Sequence, residues 1–228
     1  MFAVIFVVEP RSDRWNDYLE LAKQLKPTLE AIDGFIDIDR FASRRGKSRL
    51  LSLSTWRDEK AVVRWRTQAQ HHGAQERGRG EVFADYQLRV GEIVNDSAPP
   101  QGLTVEETRS DDTAANAKAA TITELVPAAT SPAIGAETLA SQLGLDADRA
   151  GAADVELFES IYHPGKLLLL GLWRDLISAR NFSPSRPEGA AAMRHRCVRI
   201  IRAYGMFDRR EAPQFYPDVR PPSDAAAE

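Results

Sequence analysis

An α+β fold of two ferredoxin-like (βαββαβ) repeats, whose antiparallel sheets pack together as an α/β barrel, is what this sequence predicts, and three observations carry it. The order strand, helix, strand, strand, helix, strand can be read twice along the 228 residues. The phrase Leu53-Ser54-Thr55-Trp56-Arg57-Asp58 returns as Leu170-Gly171-Leu172-Trp173-Arg174-Asp175, at a constant offset of 117 residues. Between the copies the chain turns polar and proline-bearing, from Ser97, Pro99 and Pro100 through residues 106–112, a composition that marks a linker. The boundaries that follow are a first unit at 1–95, a linker at 96–119, a second, diverged unit at 120–212 and a tail at 213–228.

Residues 2–8 are apolar and β-branched, a first strand. From 13 to 32, Trp15, Leu19, Ala22, Leu25, Leu29 and Ile32 recur at three- and four-residue steps and form the apolar stripe of a helix, with Pro27 as a kink inside it. Residues 34–43 and 48–56 read as strands joined by a turn at Gly46-Lys47. Asp58 and Glu59 put negative charge where the next helix begins, and 82–94 is a long closing strand. In the second unit, 121–126 reads as strand, 136–143 as helix, and 155–163 with 166–173 as a hairpin turning at Pro164-Gly165. A helix cut short by Pro184 and Pro187 and a strand at 197–207 complete the repeat. The helix-free face of each sheet is apolar and needs a cover, which either the other unit of the same chain or a second copy in a homodimer supplies.

Thirty Lys+Arg against 33 Asp+Glu give a net charge of -3, which removes any global electrostatic case for nucleic acid or an anionic membrane. The apolar opening lacks a basic leader and runs into Glu9 and Pro10, so it reads as strand and not as a signal peptide. No later apolar run approaches the ~20 residues of a membrane span. The single cysteine, Cys197, rules out an intrachain disulfide and a thiolate zinc site, and fits a reducing, cytoplasmic setting. The basic run Arg194, His195, Arg196, Arg199 and Arg202 has no interleaved aromatic cluster and reads as a polar outer edge.

Asp33-Gly34-Phe35-Ile36, Leu51-Ser52-Leu53-Ser54-Thr55-Trp56-Arg57-Asp58-Glu59, Val63-Arg64-Trp65-Arg66, His71, Ala74-Gln75, Gly78-Arg79 and Phe83-Ala84-Asp85-Tyr86-Gln87-Leu88-Arg89-Val90 together resemble the antibiotic biosynthesis monooxygenase family, over almost all of residues 1–95. The resemblance implies a dimeric α/β barrel. It implies less about reaction, because the family spans cofactor-independent oxygenases of polycyclic phenols, quinol monooxygenases and haem-degrading enzymes. Haem-degrading members carry an Asn on the first strand, a Trp on the second helix and a ligating His ten residues later. At those places stand Val7 and Val8, Trp65 and Gln75, and an amide is a poor iron ligand beside imidazole, so no cofactor is expected.

Proton abstraction near neutrality points to histidine, whose ordinary pKa is ~6.5. His71 matches the family position, whereas His72 falls on the face of Trp65 if one helix runs unbroken from Asp58, so both are candidate bases. Trp56, Trp65 and Tyr86 are candidate walls for a flat substrate, and Gln75 and Arg79 candidate partners for its oxygens. His72 and Glu76 have ligand spacing but no third partner, so no metal site is expected. The second unit has Phe182 where the first has Trp65, and Pro187 and Glu188 near the place of His71, so one competent pocket per chain is expected, within residues 1–95. The reading is a cofactor-independent monooxygenase that oxidises a small aromatic phenol or quinol with O2. The alternatives are a non-catalytic small-molecule-binding or stress-response protein of the same fold, and a haem-degrading monooxygenase.

Overall fold

The computed structural model describes residues 1–46, 48–128, 139, 141–144, 151–217 and 219. The elements are β1 (Phe2–Pro10), α1 (Trp15–Glu30), β2 (Phe35–Ser43), β3 (Leu50–Trp56), α2 (Glu59–Arg66), α3 (Ala69–Arg77), a π-helical turn (Gly78–Val82), β4 (Phe83–Asp96), β5 (Ala119–Pro127), β6 (Ala152–Ser160), β7 (Leu167–Trp173), α4 (Leu176–Asn181) and β8 (Ala190–Gly205). Half of the helix expected at 136–143 falls outside the described residues, as does Lys47 of the β2–β3 turn.

The eight strands close into one antiparallel barrel in the order β1-β3-β2-β6-β7-β5-β8-β4. The two units repeat one internal order, β4-β1-β3-β2 and β8-β5-β7-β6, and two seams join them. The long seam pairs β4 with β8 from Gln87↔Gly205 to Asp96↔Arg196, and the short one pairs Phe41–Ser43 of β2 with Phe158–Ser160 of β6. The barrel is therefore completed within one chain, without edge strands.

Strand alternation sends one set of side chains inward and the other towards the helices. Ile5, Leu51, Leu53, Ile122, Leu168, Leu170, Val198 and Ile200 fill the lumen. Because helices also cover the outside, β3 and β7 are buried at every position. The duplicated phrase now has a physical reason. Trp56 and Trp173 end equivalent strands fully buried, with their indole N–H groups donating to Ser54 and Thr121 at 2.9 Å. Asp58 and Asp175 then cap α2 and α4, accepting from Ala61 N at 2.8 Å and Ser178 N at 2.7 Å. Gly34 precedes β2 at φ +91, where a Cβ would lie 2.7 Å from Ala61 Cβ, and Gly165 turns the β6–β7 hairpin at φ +81.

Four expectations change. The helix expected from Asp58 onward is two helices, because the chain breaks at Thr67-Gln68 and the Gln68 side chain caps α3 by accepting from Gln70 N and His71 N. The last strand starts at Ala190 and is paired on both sides, so the basic run is not an outer edge. Arg196 is buried against Glu124, and Arg194 meets Asp96 at 2.7 Å. The linker gives its first residue to β4 and its last to β5 and carries neither helix nor strand between them, yet it is pinned: the buried Glu92 carboxylate accepts from Thr108 N at 2.8 Å, Thr108 Oγ1 at 2.6 Å and Arg109 N at 3.0 Å. Beyond β8 the expected tail folds back, and Tyr216 is buried.

Candidate functional site

Between the outer face of the first unit's sheet and α1–α3 lies a cavity of about 190 Å³. Its floor is two cross-strand rows. Arg40, Ser52, Phe6, Leu88 and Tyr204 follow one another from β2 through β3, β1 and β4 to β8, and Ile38, Ser54, Val4, Val90 and Arg202 form the next row. The centre of the floor is thus apolar and both margins are polar. Leu21, Ala22, Leu25 and Leu29 of α1 and Val62 of α2 form an apolar roof. Ala22, Leu25 and Leu29 of the apolar stripe read from α1 face this space, joined by Tyr18 and Leu21.

The β4 margin holds the densest polar group. Arg79, buried in the π-helical turn, and Arg209, just past β8, each donate to the Tyr86 phenol oxygen at 2.8 Å. Both lone pairs of that hydroxyl are thereby used, and its own proton points to no protein acceptor among the described residues, so it is free to donate into the cavity. Arg79 also reaches Met206 O at 3.2 Å and Pro217 O at 3.4 Å, and Arg209 reaches Gln214 O at 2.9 Å, which ties the returning C-terminal segment over the site. Tyr216 in that segment donates to Gln75 Oε1 at 2.8 Å and lies 3.1 Å from His72 Nδ1. The Gln75 oxygen is therefore engaged, and its amide N–H groups remain for a ligand.

His71 faces the cavity, stacked on Trp65 with ring centroids 4.1 Å apart. Its Nδ1 lies 2.9 Å from Trp65 O, and since a carbonyl only accepts, the proton sits on Nδ1 and Nε2 carries the lone pair. Burial pushes the imidazole down to about 4, only partly offset by that backbone hydrogen bond. His71 is therefore neutral at pH 7 and a weak base.

The structure brings His71, Trp65, Gln75, Tyr86 and Arg79 to one cavity. It does not bring Trp56, which packs into the core among Phe2, Leu29, Ala61 and Val62, or His72, which is exposed and meets Tyr216 outside the cavity wall. His72 loses the place that helical counting from Trp65 assigned it, because the break at Thr67-Gln68 resets the phase. The site is also not confined to residues 1–95. Arg202, Tyr204, Arg209, Gln214 and Tyr216 line it, because β8 pairs with β4 and extends the floor.

Sequence reasoning missed Arg40, Arg66, Arg202 and Arg209. One signal was available: Arg40 stands in line with Ile38 on an alternating strand, on the face that packs against helices. With Arg79 they make five arginines around the cavity, none in an ion pair among the described residues, against one lining carboxylate, Glu59. Glu59 is itself engaged by Arg109 at 2.5 Å. The chamber is cationic although the chain as a whole is not. Among the described residues no group of three or more His, Cys, Asp or Glu is placed to hold a metal, and no helix is long and apolar enough to cross a membrane.

Residues 1–77 match the family described as antibiotic biosynthesis monooxygenase. Over 221 residues the chain is 42% identical to Jasmonate monooxygenase ABM of Pyricularia oryzae, covering 95% of this chain and 99% of that protein. Over 92 residues it is 27% identical to the uncharacterized protein YqjZ of Bacillus subtilis, covering 40% of this chain and 78% of that one. Among solved structures, an aldoxime dehydratase in complex with butyraldoxime superposes with a TM-score of 0.57 at 14% identity, over 88% of this chain and 79% of that one, a likeness of fold alone.

Proposed function

The chain belongs to the antibiotic biosynthesis monooxygenase family, and on that premise we propose that it is a monooxygenase whose substrate is a small oxygen-bearing molecule with an apolar body, held between the sheet and α1–α3. The observation that carries this reading is the make-up of the cavity, an apolar centre with Tyr86 presented at one margin by two guanidinium groups. Jasmonate, a carboxylic acid built on a cyclopentanone ring, is the first candidate, because the relative matched over nearly its whole length bears that name. A phenol or quinol is the second reading, favoured by the Trp65–His71 stack as a flat wall and by the suitability of the Tyr86 donor for a phenol oxygen.

In this reading the Tyr86 hydroxyl donates to a substrate oxygen, and Arg79 and Arg209 spread the charge that develops there when a neighbouring C–H or O–H is ionised. His71 Nε2 accepts the proton. As a weak base it needs a substrate acidified by the Tyr86 group. No cofactor enters the proposal. The resulting enolate or phenolate is electron-rich enough to reduce O2 directly. Where a methylene becomes a carbonyl, the substrate supplies all four electrons, one oxygen atom becoming the carbonyl and the other leaving as water. Conversion of C–H to C–OH would instead draw two electrons from a separate donor.

The test is oxygen uptake by the purified protein with jasmonate and with a panel of hydroquinones and polycyclic phenols, with and without a two-electron reductant, and with Tyr86→Phe alongside. Uptake that requires protein and substrate and falls in the variant supports the reading. Substrate bound tightly but recovered unchanged under both conditions would replace it with a binding protein of the same fold.

A further inference from the structure

Arg40 is 7% exposed, and its Nε is buried without a partner. No hydrogen bond or ion pair among the described residues involves its guanidinium group. Arg196, buried with its Nε likewise unpartnered, still places its terminal nitrogens on Glu124 and Thr55, and half-buried Arg194 meets Asp96. A guanidinium taken out of water without an anion is held at a penalty of several kcal/mol, so a fold that keeps one facing a cavity leaves room for an anion to arrive.

The residues beside it fit that role. Ser52 stands directly opposite Arg40 in the β2–β3 register, and Ser54 is opposite Ile38, one step along the same face. The Ser52 hydroxyl makes no hydrogen bond among the described residues. Ser54 Oγ accepts from Trp56 Nε1, and its proton remains free to donate. All three side chains line the cavity, and the one carboxylate that lines it among the described residues, Glu59, is taken by Arg109. A guanidinium and two hydroxyl protons, with no carboxylate among the described residues left to receive them, thus collect at the β2–β3 margin.

We propose that Arg40, with Ser52 and Ser54, is the anchor for a carboxylate group of the substrate. A carboxylate accepts at four lone-pair positions, carries its charge at neutral pH and matches the guanidinium fork, whereas a phenol ionises only near pH 10. Three strand spacings, roughly 14 Å, separate the β2 column of Arg40 from the β4 column of Tyr86. A molecule anchored at Arg40 lays its apolar body over Phe6 and Leu88 and brings its far end to the Tyr86 group. The anchor sets which acids are oriented for reaction. It rests on the monooxygenase reading only for the identity of the first probe.

The experiment measures calorimetric affinities of the full chain for jasmonate and its methyl ester, and for C8–C12 carboxylic acids and their esters, in wild type, Arg40→Met and Arg40→Lys. The acid is expected to bind wild type at least tenfold more tightly than its ester. Arg40→Met should abolish that preference by weakening the acid alone, and Arg40→Lys should keep part of it. Equal binding of acid and ester, or equal weakening of both in Arg40→Met, overturns the anchor. If jasmonate fails to bind but another acid shows the Arg40-dependent preference, the anchor stands and jasmonate falls. If no acid is preferred over its ester, the anchor falls whatever the oxygen-uptake result. Melting curves accompany each variant, and Arg40→Met is expected to melt no lower than wild type, because it removes an unpaired buried charge.

Discussion

Tyr86→Phe removes one oxygen atom and should be felt twice. In the folded chain that oxygen accepts from Arg79 and Arg209 at 2.8 Å each. Phenylalanine keeps the ring contacts with Phe6 at 5.5 Å and Phe83 at 6.0 Å, so no cavity opens and the loss is polar only. A hydrogen bond to a charged group contributes about 1.5–3 kcal/mol. Arg79 is 4% exposed, and its other acceptors, at 3.2 and 3.4 Å, are more distant than the one it loses, so its bond counts nearly in full. Arg209 is partly solvated and keeps Gln214 O at 2.9 Å, so its bond counts for about half. The sum is a destabilisation of roughly 2–4 kcal/mol, read from urea unfolding at pH 7. Turnover measured on the folded fraction should fall about a hundredfold, the size expected for one lost oxyanion donor. A stability change below about 0.5 kcal/mol would refute the double hydrogen bond, since it lies beneath the smallest value for even one such bond. A kcat within about threefold of wild type would refute the donor role, since that is under ~1 kcal/mol of barrier.

Three further outcomes are expected. His71 and His195 are both pushed down to about 4 by burial, while in the unfolded chain they titrate near 6.5, so the unfolded state binds more protons between those values. Their contribution is intact above pH 6.5 and is lost as pH falls towards 4, by up to about 3 kcal/mol per histidine, and His195→Gln should flatten the dependence of the urea midpoint between pH 7.5 and 4.5; a flat wild-type profile contradicts this. Asp58→Ala and Asp175→Ala should each cost about 1 kcal/mol through the lost caps of α2 and α4, and the double variant should show their sum within about 0.5 kcal/mol, because the sites share no partner. Tyr216→Ala should raise KM roughly tenfold with a smaller change in kcat, since the ring closes a wall of the cavity but touches neither Tyr86 nor His71 by a hydrogen bond, and an unchanged KM would place the C-terminal segment outside the binding site.

The pairing of a cationic chamber with an acidic chain has a consequence for how the site is reached. Acidic residues keep the net charge at -3, while the cavity arginines sit behind helices and the returning segment. An anionic ligand therefore gains little from long-range steering and most of its attraction only after entering the low-dielectric interior, where a guanidinium acts more strongly than in water. Binding should accordingly depend only weakly on ionic strength.

What the sequence alone determined is what short-range rules encode. The repeat of Trp56-Arg57-Asp58 as Trp173-Arg174-Asp175 announced two equivalent units, because a buried strand-end indole and a capping carboxylate are local requirements of a strand-to-helix turn. Alternation placed Tyr86 and Leu88 on one face, and the stripe on α1 gave the roof. Tertiary structure decided the rest. Periodicity is blind to which strand edges meet, and only the β4–β8 and β2–β6 seams, each joining residues a hundred or more positions apart, closed the barrel within one chain and carried Arg202 and Tyr204 onto the cavity floor. The break at Thr67-Gln68 turned His71, and not His72, towards the cavity, and the fold-back after β8 set Arg209 against Tyr86. An isolated arginine on a strand reads as a solvated charge, and it becomes a binding group only when distant segments cover it and leave it without a carboxylate.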